Sequence, residues 1–109
     1  MEFNRYQELA RRTQDPTITP EKRLEHALYG LGSEAGEVLG IYQKAIQGHE
    51  IVENEVVKEA GDVLWFIAEL ADCLGVSLDY IAQSNVVKLL DRYPDEEGFN
   101  PERSIHRKV

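Results

Sequence analysis

The sequence is poor in cysteine, in positive charge and in long apolar runs, and each scarcity excludes a class of protein. Its one cysteine, Cys73, can form neither an internal disulfide nor a cysteine zinc site within one chain. The 20 Asp and Glu outnumber the 12 Lys and Arg, and the formal net charge of −8 argues against nucleic acid or an anionic membrane as the main partner. No apolar run approaches the roughly 18 residues of a membrane span, and the first residues contain no apolar signal region. We therefore expect a cytoplasmic protein that contacts no membrane.

Proline is also scarce inside the long periodic segments, and strand signals are weak throughout. The four prolines stand at positions 16, 20, 94 and 101, and few stretches alternate between apolar and polar residues. The periodicity predicts four helices instead: a short one within 2–13, then Pro20 to about Gln47, about Asn54 to Leu74, and about 78–93. An irregular tail follows from about 94 to 109. We expect one all-α domain over residues 1–109, with two long antiparallel helices flanked by two shorter ones.

The stretch GLGSEAGEVLG, residues 30–40, has the glycine content of a phosphate-binding loop but the periodicity of a helix. No strand precedes Gly30, as a glycine loop would require, and apolar residues recur at helical spacing through the stretch. We therefore place it inside the second helix, where each glycine costs about 1 kcal/mol relative to alanine. Gly32, Gly36 and Gly40 share one helix face. This face predicts close approach of another backbone or of a ligand, and for any single glycine simple tight helix packing is favoured at least as much.

Two acidic pairs with a spacing of three residues carry the strongest functional signal. Glu34 and Glu37 lie on the second helix, and Glu59 and Asp62 lie on the third. Residues three apart share a helix face, and both pairs are centred about twelve residues from Gly48. A chain reversal near Gly48 therefore sets all four carboxylates at one level. Oxygen-only ligands suit Mg²⁺ or Mn²⁺, although from spacing alone a metal site and a solvated acidic face are equally favoured.

The same spacing is not specific by itself. Glu50 with Glu53 and Glu69 with Asp72 repeat it, and we attribute those two pairs to chance. The first two pairs differ in their common level and in the alanine and glycine between their acids, which leave room for a ligand. Four converging carboxylates repel one another, so they either raise their pKa values or bind cations.

The fourth helix places an amide and two cations on the side of its apolar stripe. Asn85, Lys88 and Arg92 are these residues, and polar groups turned toward a core are costly unless they are paired. They can pair with the acidic quartet or hold phosphates, and both interpretations stay open. A metal-bridged acidic patch that faces a basic one suits a polyphosphate.

The segments GLGSEAGEV, KEAGDVLW and NVVKLLDRYP together resemble the MazG-like branch of the all-α nucleoside triphosphate pyrophosphohydrolases, over about residues 3–105. The family motif, E-E-x-x-E followed by E-x-x-D, reads here Glu34-x-x-Glu37 and Glu59-x-x-Asp62, with Ser33 in place of the first glutamate. The two ends of the chain are similar to small single-domain members, including phage-type ones. The resemblance implies a bundle of four to five helices that assembles as a homodimer or homotetramer.

The resemblance also implies an activity, the hydrolysis of nucleoside or deoxynucleoside triphosphates to monophosphate and pyrophosphate in nucleotide-pool housecleaning. It assigns Glu34, Glu37, Glu59 and Asp62 as ligands of Mg²⁺, with Mn²⁺ as a substitute. The metal would polarise phosphoryl oxygens and lower the pKa of an attacking water. One of Glu34, Glu37 and Glu59 would take the proton of that water as the catalytic base.

Further substrate contacts follow from the same resemblance. Lys88 and Arg92 are assigned to the phosphate tail, Asn85 to sugar or phosphate, and Phe66 to stacking on the base, with ordinary packing of Phe66 as the equal alternative. Trp65 points away from the apolar stripe of its helix and is interpreted as an oligomer contact. Two other functions stay open: a non-catalytic helical module that binds nucleotide or a protein, and a superfamily enzyme that acts on dUTP or phosphoribosyl-ATP.

Overall fold

A computed structural model of the protein describes residues 1–94 and 98–105, the last of these by its backbone alone, and every regular element in those ranges is a helix. The helices are α1 (Phe3–Arg11), α2 (Pro20–Ile46), α3 (Glu53–Leu74), α4 (Leu78–Arg92) and α5 (Pro101–Ile105). The all-α prediction is confirmed, and the limits of the first four helices lie within two residues of those expected.

The predicted irregular tail is wrong at one point, because α5 forms within it. Asn100 caps this short helix: its side-chain oxygen accepts the backbone N–H of Glu102 at 3.0 Å and that of Arg103 at 3.4 Å. Pro101 follows as the first helical residue, where its missing N–H costs nothing. The rest of the tail prediction, residues 95–97 and 106–109, lies outside the described residues.

Local signals set the ends of the long helices. The extended backbone of Thr19 precedes Pro20, the first residue of α2. Gly48 follows α2 with a φ of +98°, and Gly75 ends α3 with a φ of +68° and donates its N–H to the carbonyls of Ala71 and Asp72. These left-handed conformations favour glycine, which has no Cβ to clash with the backbone.

The chain forms two compact units, one from Met1 to Leu78 and one from Asp79 onward. In the first unit α2 and α3 pack along their length, and α1 packs on α3. Gly30 touches Phe66, and Glu34 lies beside Asp62. Later residues of α2 therefore contact earlier residues of α3. The two long helices are therefore antiparallel, as predicted. The single domain over residues 1–109 stays a prediction.

The interior of the first unit contains few large apolar side chains among the described residues. Its buried residues are small or polar, except for Leu78: Gln7, Ala10, Ala27, Ala68, Glu69, Ala71 and Leu78. Many of the large apolar side chains on α2 are exposed instead, so the packing of α2 on α3 uses only part of the available apolar surface. None of the described helices combines the length and the apolar composition that a membrane span needs.

Candidate metal centre

Three of the four predicted carboxylates come together between α2 and α3. One carboxylate oxygen from each of Glu34, Glu59 and Asp62 lies within 4.8 Å of those of the other two. Glu34 and Glu59 are half-buried and Asp62 is exposed, so the group opens to solvent. Glu59 and Asp62 lie one turn apart on the same side of α3, and the packing of the two helices brings Glu34 of α2 next to them.

The electrostatics of this group favour a proton or a cation. Partial removal from water raises the pKa of Glu34, and the charges of Asp62, Glu59 and Glu37 and a hydrogen bond with Glu59 raise it further. Burial and the charge of Asp62 also raise the pKa of Tyr6, which α1 places near the same group. A bound cation would relieve this repulsion. The donor set is oxygen-only, and it fits Mg²⁺ or Mn²⁺ better than a softer metal.

Glu37, the fourth predicted carboxylate, lies beside this group and lines an adjoining cleft together with Glu59. The cleft has a volume of about 300 Å³. It lies on the side of the carboxylate group that faces the turn between α2 and α3. Its other lining residues are Gly40, Ile41, Lys44, Glu55 and Lys58. The exposed side chain of Glu37 therefore borders both the carboxylate group and a cleft that contains two lysines.

Close approach of the two helices occurs at Gly30 and not at the predicted glycines. A Cβ on Gly30 would overlap the ring of Phe66, whereas a Cβ on Gly32, Gly36 or Gly40 would meet no atom within 4 Å. The prediction of close contact at those three positions is wrong within this chain, because no atom of the described chain comes within 4 Å of where their Cβ would be. The Phe66 ring, seated against Gly30, sets the separation of α2 and α3 one turn from Asp62.

Phe66 belongs to an aromatic layer beside the carboxylates. Its ring centroid lies 4.9 Å from that of Trp65 and 5.6 Å from that of His26. The indole N–H of Trp65 donates to the Thr13 hydroxyl oxygen at 2.7 Å. Trp65 therefore has a partner within the chain, and its orientation requires no second subunit. Phe66 fills the space between helices, and its role in stacking on a base stays a prediction.

Glu69, whose spacing from Asp72 we attributed to chance, is the most buried charged side chain of the described residues. One of its oxygens lies 3.3 Å from Nη1 of Arg23 and the other 2.6 Å from Nδ1 of His26. A buried carboxylate is tolerated only when it is paired, so these contacts fasten α2 to α3. Arg23 and His26 are three residues apart and therefore share one face of α2. This spacing was the signal in the sequence that could have pointed to a shared partner on α3.

Asp72, the other residue of that pair, fastens α1 to α3. It accepts hydrogen bonds from Gln7 at 2.8 Å, Arg11 at 2.7 Å and Gln14 at 2.8 Å. Burial alone would raise the pKa of Asp72, but the hydrogen bonds from Arg11, Gln7 and Gln14 and the charge of Arg11 outweigh it and hold that pKa below its usual range. Both acids that we attributed to chance are therefore structural.

The predicted substrate residues of α4 belong to the second unit. Asn85 and Lys88 are exposed, whereas Arg92 is partly buried and its guanidinium carbon lies 5.9 Å from the centroid of the Tyr93 ring. The expectation that these three residues turn toward a core stays a prediction. Even Leu89 of the predicted apolar stripe is 42% exposed. Their contact with substrate stays a prediction.

Comparison with known proteins finds a relative in a phage. The chain is similar to the Gene 37 protein of Mycobacterium phage L5, with 34% identity over 74 residues. The match covers 63% of this chain and 65% of the phage protein, so the chain spans just under two thirds of that relative. No family model matches the sequence, and no solved structure matches it significantly.

Proposed function

We propose that this chain is a divalent-metal-dependent pyrophosphohydrolase of the MazG-like kind, which hydrolyses nucleoside or deoxynucleoside triphosphates to monophosphate and pyrophosphate. The observation that carries the proposal is the convergence of Glu34, Glu59 and Asp62 within 4.8 Å on facing helices. The similarity to a phage protein is in keeping with the resemblance of the chain to small phage-type members.

In this proposal the side chains of the protein position the metal and the substrate, and one of them accepts a proton. Mg²⁺, when bound, provides positive charge that polarises phosphoryl oxygens and makes water more acidic. Glu59 and Asp62 on α3 and Glu34 on α2 hold their oxygens at fixed separations, because the buried Glu69 fastens the two helices. Water attacks phosphorus, the bridge between the α- and β-phosphates breaks, and pyrophosphate leaves. A carboxylate among Glu34, Glu37 and Glu59 takes the proton.

The proposal is tested by pyrophosphate release from a panel of ribo- and deoxynucleoside triphosphates, including dUTP, with Mg²⁺. We expect wild-type turnover on at least one nucleotide and a loss of about 100-fold or more in Glu59→Gln, since that carboxylate belongs to the metal-binding group. Glu53→Gln is the matched control, because Glu53 is exposed on the same helix and outside the group. Folded wild-type protein with no turnover on any nucleotide would reject the enzyme and favour the non-catalytic module.

We propose further that the active form is a homodimer or homotetramer assembled through α2. Large apolar side chains form a second stripe on this helix, beside the one that packs on α3, and each is at least 40% exposed: Leu24, Leu28, Leu39, Tyr42 and Ile46. We call this stripe the α2 apolar face. A row of exposed apolar side chains along one helix is unfavourable in water and is typical of an interaction site, and a second copy of the chain would cover it.

A further inference from the structure

Two lysines line the cleft beside the carboxylates. Lys44 lies on α2 and Lys58 on α3, and the cleft shares Glu59 with the carboxylate group. We propose that Lys44 and Lys58 bind the β- and γ-phosphates of the triphosphate, the part that leaves as pyrophosphate. This proposal rests on the proposed function and adds to it the direction in which the substrate lies along α2 and α3.

Both lysines are available to an anionic ligand. The ion pairs of the described residues use other cations, namely Arg5, Arg11, Arg23 and His26. Lys44 and Lys58 are exposed and form no such pair in that part of the chain, although three glutamates share the cleft with them. An ammonium group that lies unpaired in a cleft can form charge-assisted hydrogen bonds with phosphate oxygens at little cost in lost internal contacts.

The charges of the site suit a polyphosphate only when lysines and cations act together. The carboxylate group and the cleft contain five carboxylates, those of Glu34, Glu37, Glu55, Glu59 and Asp62, against two ammonium groups. The three excess negative charges would repel a triphosphate. Two divalent cations would make the lining net positive. The lysines then neutralise the phosphates that lie beyond the cations, toward the turn between α2 and α3.

The opposite side of the carboxylates has a different chemistry. There the rings of His26 and Phe66 lie 5.6 Å apart. An aromatic surface suits a nucleoside and not a polyphosphate. The carboxylates lie between the aromatic layer and the lysines. A triphosphate with its nucleoside toward Phe66 and its terminal phosphates toward Lys44 and Lys58 places the bridge that is broken beside the carboxylates.

The direction of the substrate is tested with two probes. Inorganic tripolyphosphate represents the phosphate end of the substrate, and the monophosphate product of the preferred nucleotide represents the nucleoside end. Calorimetry with Mg²⁺ compares wild type with Lys44→Ala and Lys58→Ala. Lys22→Ala is the control, because Lys22 is an exposed lysine in the first turns of α2, outside the cleft. We expect each cleft variant to weaken tripolyphosphate binding about 10-fold and to raise the KM of the triphosphate similarly. Binding of the monophosphate should change less than about twofold, and circular dichroism confirms folding.

The outcomes separate this inference from the function on which it rests. If wild type hydrolyses triphosphates and both cleft variants bind tripolyphosphate as tightly as wild type, the lysine assignment is overturned and the enzyme stands. Equal weakening of tripolyphosphate and monophosphate binding overturns the direction of the substrate. Wild-type protein that neither binds tripolyphosphate nor hydrolyses any nucleotide overturns both proposals.

Discussion

Two glycines that stand two positions apart in α2 have opposite roles. Gly30 lies under the Phe66 ring, whereas the side of Gly32 is open. The sequence predicted a close approach somewhere in this stretch but assigned it to the wrong glycines. Periodicity shows which residues share a face, and it does not show which of two faces meets the neighbouring helix. The large side chain that occupies the space above Gly30 comes from another helix, and its position is a property of the packing.

Substitution of these glycines by alanine separates the two roles. Gly30→Ala should lower the free energy of unfolding by about 1–3 kcal/mol, because the Phe66 ring must move to make room. Gly32→Ala should raise it by up to about 1 kcal/mol, since alanine favours the helix and meets no atom. Urea unfolding of both variants measures the difference. Equal stability of the two variants would contradict the packing of Phe66 on Gly30.

The elements of the first unit are held together by two acids, the buried Glu69 and the half-buried Asp72, as well as by apolar contacts. Glu69 joins α3 to α2, and Asp72 joins α3 to α1. The limits of the helices were predictable because proline and glycine act locally at Pro20 and Gly75. The partners of the two acids were not, because Arg11 lies 61 positions from Asp72 along the chain and only the fold brings them together.

The contact of α1 with α3 should depend on pH through Asp72. Its carboxylate has a lowered pKa in the folded chain, so it stabilises the fold above the usual Asp pKa and loses that effect as pH falls through the lowered value. Asp72→Asn should reduce the free energy of unfolding by about 2 kcal/mol near pH 7. The difference from wild type should shrink as pH approaches about 3. Urea unfolding across this range tests it, with the exposed Glu25→Gln as control. A difference that does not vary with pH would contradict the role of the Asp72 charge.

Among the described residues, several large apolar side chains of α2 are exposed. Ile46 is 90% exposed and Leu39 71%, and both belong to the α2 apolar face. The sequence predicted one apolar stripe on α2 and did not show that part of it would lie outside the contact with α3. The carboxylate group was predictable in advance, since its spacing and its distance from Gly48 place Glu34 opposite Asp62. The lysine cleft was not, because Lys44 and Lys58 belong to no acidic or apolar pattern.

A charge on the α2 apolar face should prevent assembly. Leu39→Glu places a carboxylate in the proposed interface, where burial of an unpaired charge costs several kcal/mol. We expect wild type to elute as a dimer or tetramer in size exclusion with light scattering, and Leu39→Glu as a monomer. Lys22→Glu is the control, because Lys22 is exposed on the opposite side of the same helix. A wild-type monomer at all concentrations would contradict the assembly.

The measurement closest to the central claim is the binding of Mn²⁺, followed by electron paramagnetic resonance. We expect wild type to bind Mn²⁺, and Glu59→Gln and Asp62→Asn to bind it at least about 10-fold more weakly, since each removes an oxygen ligand from a group within 4.8 Å. Glu53→Gln should bind as wild type does. Wild-type protein that binds no Mn²⁺, or variants with unchanged affinity, would contradict the account of Glu34, Glu59 and Asp62 as a metal centre.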